Sequence, residues 1–201
     1  MRKISSFLLL LLSLSLVACD SGGSSSSGGS GSGASNRTAT KIVAIGDSIG
    51  ARELSWPTVV GQMSGVRVAN YSQDSLKTSD FVGRVEGILA RENPSHLLIL
   101  LGTNDARSGS VSGAVSNLQV MVNIANSAGV VAIVGTIPPN FRSASEDARA
   151  ASISSGIRNL NGARIANVRE NLGGNSSYFP DGLHPNSAGS RIIGSAFNDR
   201  L

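Results

Sequence analysis

Apolar residues fall into short continuous runs along the chain, separated by stretches with helical spacing. Lys41-Ile42-Val43-Ala44-Ile45 is the first run and ends in Gly46. Val66 to Ala69 is a second, weaker one, and His96 to Leu101 a third. Val130 to Val134 is a fourth, and Ala163 to Val168 a weaker fifth. Runs without polar alternation suit strands covered on both faces, as in a parallel sheet. Trp56 to Met63 predicts a helix, with Pro57 in its opening turn, where a missing N–H is no loss. Ser79 to Arg91 sets Phe81, Val82, Val85, Ile88 and Leu89 on one face, and Asn93-Pro94 ends it. Val115 to Ala128 and Glu146 to Leu160 predict two more helices. Ser187 to Phe197 closes the chain, with Asn186 or Ser187 as cap. This alternation implies an α/β fold, a three-layer α/β/α sandwich on a five-stranded parallel sheet. In such sheets chemistry collects at the carboxyl ends of the strands.

The first 40 residues do not follow this pattern. Arg2 and Lys3 precede an apolar run from Phe7 to Val17, too short for a comfortable membrane span. The run ends in Leu16-Val17-Ala18-Cys19, which resembles a bacterial lipobox. That resemblance implies a signal peptide over 1–18, cleavage before Cys19, and a diacylglyceryl group on its thiol. Residues 19–40, rich in Ser and Gly, then read as a tether, and 41–201 as the folded domain. Asp20 resembles the inner-membrane retention signal of enteric-type bacteria. The implied location is the cell envelope, facing the periplasm and lipid-anchored.

Composition narrows the function classes. A single cysteine excludes an intrachain disulfide, and with two distant histidines it argues against structural zinc. The net charge of +4 falls to +2 once Arg2 and Lys3 are removed with the signal. With no long basic run and 4% aromatics, nucleic acid is not an expected partner. Nothing in the sequence demands more than a monomer, a metal or a cofactor.

Four motifs sit at the strand and helix boundaries. They are Gly46-Asp47-Ser48-Ile49-Gly50, Asn70-Tyr71-Ser72-Gln73-Asp74-Ser75, Gly102-Thr103-Asn104-Asp105 and Asp181-Gly182-Leu183-His184-Pro185. A serine hydroxyl needs a base beside it to act as a nucleophile. His184 can supply that base, and Asp181 can fix its tautomer and stabilise the imidazolium. Acyl transfer also needs donors aimed at the developing oxyanion. The Ser48 backbone N–H and the Asn104 amide are the first two candidates. The four motifs in this order resemble the SGNH/GDSL hydrolase family, in its compact lysophospholipase- and thioesterase-like branch. The resemblance implies a flavodoxin-like SGNH fold, Ser48 as nucleophile, and Asp181 with His184 as its partners. It also brings a third oxyanion donor from a block-two glycine. Here Ser75 stands at that position, and its Cβ disfavours the positive φ open to glycine.

The expected activity is therefore serine esterase chemistry through an acyl-enzyme on Ser48. Its substrates are small-molecule or lipid esters and thioesters of short to medium acyl chains, lysophospholipids among them. One alternative is an O-acetyl esterase acting on cell-envelope polysaccharide. Another is a non-catalytic binding lipoprotein on a hydrolase scaffold, which Ser75 alone favours. The G-x-S-x-G pattern over Gly46–Gly50 also fits an α/β-hydrolase elbow. Against it, Ser48 follows the first strand, and Asp181 and His184 share one loop. His96 reads as a histidine near the sheet edge, and Arg52, Arg107 and Arg142 as solvent-facing. Trp56 reads as packing, and Asp47 and Asp105 as turn residues bonded to local backbone.

Overall fold

The computed structural model describes residues 38–201. The expected signal peptide, Cys19 and most of the expected tether lie outside the described residues. Thr40 and Lys41 are already held, since their N–H groups donate to Ser95 Oγ at 2.9 and 3.3 Å.

Five parallel strands form one sheet: β1 (Ile42–Gly46), β2 (Val68–Asn70), β3 (His96–Leu100), β4 (Val131–Gly135) and β5 (Ala163–Ala166). Their spatial order is β2-β1-β3-β4-β5. β1 lies between β2 and β3, with Ile42 opposite both Val68 and His96. The order reverses between β1 and β3, and ligands bind above the carboxyl ends at such a point.

The strand side chains divide the core in two, because successive residues point to opposite faces. Val43, Ile45, Leu97 and Ile99 face one layer with Phe81, Leu118 and Ile153. Ile42, Ala44, Leu98 and Leu100 face the other with Trp56, Ile193 and Phe197. The first layer carries α3 (Thr78–Val82), α4 (Val85–Glu92), α6 (Val111–Ser127) and α7 (Ala144–Ile157). The second carries α2 (Trp56–Ser64) and α9 (Ser187–Asn198). Trp56 stacks on Phe197 with ring centroids 4.4 Å apart, so it packs as expected.

Several expectations need correction. The single helix expected over 79–91 is two, broken at Gly83 and Arg84, and Arg84 N–H closes the first on Phe81 O at 2.8 Å. Three short helices carry too few residues to show a period: α1 (Ser48–Ala51), α5 (Thr103–Ser108) and α8 (Val168–Leu172). The fifth strand stops at Ala166, because Asn167 already leads into α8. His96 is not at a sheet edge. It opens the central strand, is fully buried, and lies 3.0 Å through Nδ1 from Ser95 Oγ.

Candidate active site

The site is built where β1 and β3 end. Directly after β1, Asp47 caps α1, and its Oδ1 accepts the Ile49 N–H at 3.0 Å. This places Ser48 at the first position of α1, where a backbone N–H has no helical acceptor. The Gly50 carbonyl accepts from Asn70 Nδ2 at 2.7 Å and from Ser55 Oγ at 2.8 Å. A Cβ on Gly50 would come within 2.4 Å of Ser72 Oγ and 2.9 Å of Trp56 Nε1. The turn behind Ser48 therefore requires glycine through close approach. Asp47 is buried, which pushes its carboxyl up to about 6 against the hydrogen bonds from Ile49 and Thr103.

The segment after β2 is laced to β1. Tyr71 N–H donates to Ala44 O at 2.8 Å, and Gln73 N–H to Gly46 O at 3.1 Å. Ser75 follows with φ of +65°. The serine thus adopts the left-handed conformation that glycine takes more easily, a strain of about 1–2 kcal/mol. After β3, Asn104 lies in the first turn of α5, and its Nδ2 donates to Leu76 O at 3.0 Å. One amide proton ties this helix to the Ser75 turn, and the second remains. Asp105 departs from its expected local role. It is buried and accepts from Thr78 N at 3.0 Å and Thr78 Oγ1 at 2.7 Å, fixing the start of α3.

Asp181 and His184 come from the loop before α9. Asp181 Oδ1 accepts the N–H groups of Leu183 at 2.9 Å and His184 at 2.7 Å, so the loop folds around its own acid. Asp181 Oδ2 lies 2.7 Å from His184 Nδ1, and His184 Nε2 lies 3.0 Å from Ser48 Oγ. With the proton on Nδ1, Nε2 is left to accept from the serine hydroxyl. Burial works against ionisation of Asp181. The hydrogen bonds from the His184 ring and from the two N–H groups overcome it and hold the carboxyl below the usual range.

The structure thus brings Ser48, His184 and Asp181 into one hydrogen-bonded line, with Asn104 and Ser75 in linked turns on the β2 and β3 side. Arg142, expected to face solvent, instead pairs with Asp181 Oδ2 at 2.6 Å. No motif marks it, because its loop after β4 has no counterpart among the four sequence blocks. Among the described residues, no group of three or more His, Cys, Asp or Glu is arranged to hold a metal ion.

A family model described as "GDSL-like Lipase/Acylhydrolase family" matches residues 44–192, which spans all four motifs. The chain belongs to this family. It is a carboxylic ester hydrolase with the SGNH fold. Its fold is similar to the lipase/acylhydrolase from Enterococcus faecalis, at TM-score 0.72 and 22% identity, over 80% of this chain and 94% of that one. It is also similar to a member of the lipolytic G-D-S-L family from Veillonella parvula DSM 2008, at TM-score 0.70 and 18% identity. That match covers 80% of this chain and 97% of the other. The acetyl xylan esterase AlAXEase aligns at TM-score 0.70 and 19% identity, over 80% and 99%. No curated protein matches the chain.

Proposed function

We propose that this GDSL-family hydrolase is a serine esterase that works through an acyl-enzyme on Ser48. The observation that carries this reading is the unbroken path from Ser48 Oγ through His184 to Asp181, with links of 3.0 and 2.7 Å. Ser48 Oγ attacks the ester carbonyl while its proton passes to His184 Nε2. The tetrahedral oxyanion is received by the Ser48 and Ser75 N–H groups and by the second amide proton of Asn104. Collapse expels the alcohol or thiol, which takes the proton from His184. Water then attacks the acyl-enzyme with His184 as base, and the acid leaves. Asp181 stays ionised throughout and stabilises the imidazolium.

The substrates in this reading are esters or thioesters of short to medium acyl chains, lysophospholipids included. Acetyl esters of envelope polysaccharide are a second reading. It is supported by the Ser75 side chain at the oxyanion turn, where glycine would leave more room, and by the similarity to an acetyl xylan esterase. The lipobox-like Leu16-Val17-Ala18-Cys19 supports anchoring through Cys19 on the periplasmic side of the envelope, with Asp20 favouring the inner membrane.

Hydrolysis of p-nitrophenyl esters from acetate to decanoate, with Ser48→Ala as the blank, tests the proposal. Turnover in the parent chain and a loss of at least about 10⁴-fold in Ser48→Ala are expected. Equal rates in both would refute the nucleophile. Cleavage of acetate alone would select the second reading. Palmitate labelling of the same chain, lost in Cys19→Ser, tests the anchor.

A further inference from the structure

Arg142 reaches the acid of the site from the segment between β4 and α7. Its Nη2 donates to Asp181 Oδ2 at 2.6 Å, and its Nε to the Asp181 backbone carbonyl at 2.7 Å. The same Oδ2 accepts from His184 Nδ1 at 2.7 Å. One carboxylate oxygen is thus shared between a permanent cation and the ring that must become a cation during turnover. Next to it, Phe141 N–H donates to Gly182 O at 2.8 Å, so two successive residues grip the loop that presents His184.

Arg142 is itself held in place. Its backbone N–H donates to Asn140 Oδ1 at 2.8 Å. Asn140 donates in turn to Asp147 Oδ1 from its N–H and to Glu146 Oε2 from Nδ2, both at 2.8 Å. Asp147 Oδ2 pairs with Arg169 of α8 at 2.7 Å. A connected set of polar groups therefore runs from Asp181 to the first turn of α7 and on to α8. An isolated surface ion pair contributes little, but this one is joined by a second guanidinium hydrogen bond to the Asp181 backbone carbonyl and is braced on both sides.

We infer that Arg142 is a positioning residue for ester hydrolysis, orienting the Asp181 carboxylate and, through the shared Oδ2, the His184 ring. The inference rests on the reading of Ser48, His184 and Asp181 as the working relay. Sharing Oδ2 keeps Arg142 Nη2 and His184 Nδ1 within about 5 Å, a distance at which like charges interact appreciably. The other charged groups acting on the ring are Asp181 from its own loop and Asp47 from the start of α1, with Asp105 behind Asp47. Removing the Arg142 cation leaves those carboxylates unopposed, which favours the imidazolium.

The chain has two histidines, His96 and His184, so NMR titration of the full-length protein follows the His184 ring without any need for turnover. In Arg142→Gln the His184 midpoint should rise by about 0.5–1 pH unit, and the acid limb of kcat/KM should move up with it. In Arg142→Lys the charge remains but the planar fork is lost. There the midpoint should stay at the parent value while kcat falls by about 10-fold through lost orientation. An unmoved midpoint in Arg142→Gln overturns the inference, whatever happens to kcat or Tm. A parent chain without turnover whose His184 midpoint still rises in Arg142→Gln would sink the esterase reading and leave the Arg142 coupling standing.

Discussion

The two halves of the reacting line are held by different forces. The Ser48 side is set in the core. Asp47, Ile49, Gly50 and Trp56 are buried, and Ser72 fills the space that a Gly50 side chain would need. The acid–base side is set at the surface. Asp181 and Arg142 are each about half exposed, with side-chain accessibilities of 45%. Their geometry comes from hydrogen bonds and one ion pair. Packing errors on the first side have nowhere to relax, since interiors are close-packed. Disturbed contacts on the second side can be replaced by water. The position of Ser48 is therefore coupled to folding, and that of His184 to the hydrogen bonds of its surface loop.

The sharpest way to break this contrast is a pair of glycine substitutions. Gly50→Ala drives a Cβ against Ser72 Oγ and Trp56 Nε1. Overpacking of this kind costs about 1–3 kcal/mol, and the upper end is expected because Ser72 Cβ also lies within 3.0 Å. Ser72→Gly in the same chain should restore part of the loss. Gly182→Ala meets Arg142 Cγ at 3.0 Å, on a long side chain that can turn away. Its φ of +79° adds strain of about 1 kcal/mol. It should lower kcat by displacing Arg142 while Tm moves little. Equal Tm losses from the two substitutions would erase the distinction.

A smaller effect tests whether the Ser48 side stores a cost in its buried charge. Burial raises the Asp47 carboxyl to about 6, above the ordinary carboxylate value of 3.8. The folded protein therefore binds the extra proton between about pH 4 and 6, and its stabilising contribution is lost as pH rises through that window. The gap corresponds to about 2–3 kcal/mol. Asp181 contributes with the opposite sign, but below this window, since its folded value is depressed. Asp47→Asn keeps an oxygen to accept the Ile49 N–H and removes the charge. Denaturant titrations should show the parent losing stability relative to Asp47→Asn from pH 4 to 6, with a constant difference above. A constant difference across the whole range would mean that Asp47 carries its charge without cost.

The same contrast accounts for what was legible in the chain. β1, β3 and β4 stood out because strands buried on both faces must be apolar at every position, as in Ile42-Val43-Ala44-Ile45. Ser48 and Asn104 could be named because each follows the end of such a strand inside a short motif, and Asp181 and His184 because their motif directly precedes α9. Short helices such as α1 and α5 escaped notice, since four to six residues show no periodicity. The break at Gly83 was hidden because Phe81, Val85 and Leu89 keep helical spacing across it. Arg142 could not be found by pattern at all. Its link to Asp181 spans 39 residues and depends on how two surface loops meet, which no local spacing encodes. The burial of His96 is hidden in the sequence for a related reason, because it follows from strand order rather than from neighbouring residues.

The smallest expected effect lies at Ser75, in the turn that follows β2. Its segment is tied to β1 through Gln73 N–H and to α5 through Asn104 Nδ2, while Ser75 itself is exposed. Its φ of +65° strains a residue with a Cβ. Ser75→Gly relieves that strain, and the greater freedom of glycine in the unfolded chain offsets part of the gain. A net stabilisation of about 0.5–1 kcal/mol is expected from denaturant midpoints. The substitution also removes a side chain beside the backbone N–H proposed as an oxyanion donor. If that Cβ restricts the acyl group, the rate ratio of decanoate to acetate esters should rise in Ser75→Gly while acetate turnover holds. A stability gain with an unchanged ratio would make Ser75 a purely conformational feature of the turn. A stability loss would mean that the serine hydroxyl holds the loop, and the left-handed turn would then depend on its side chain.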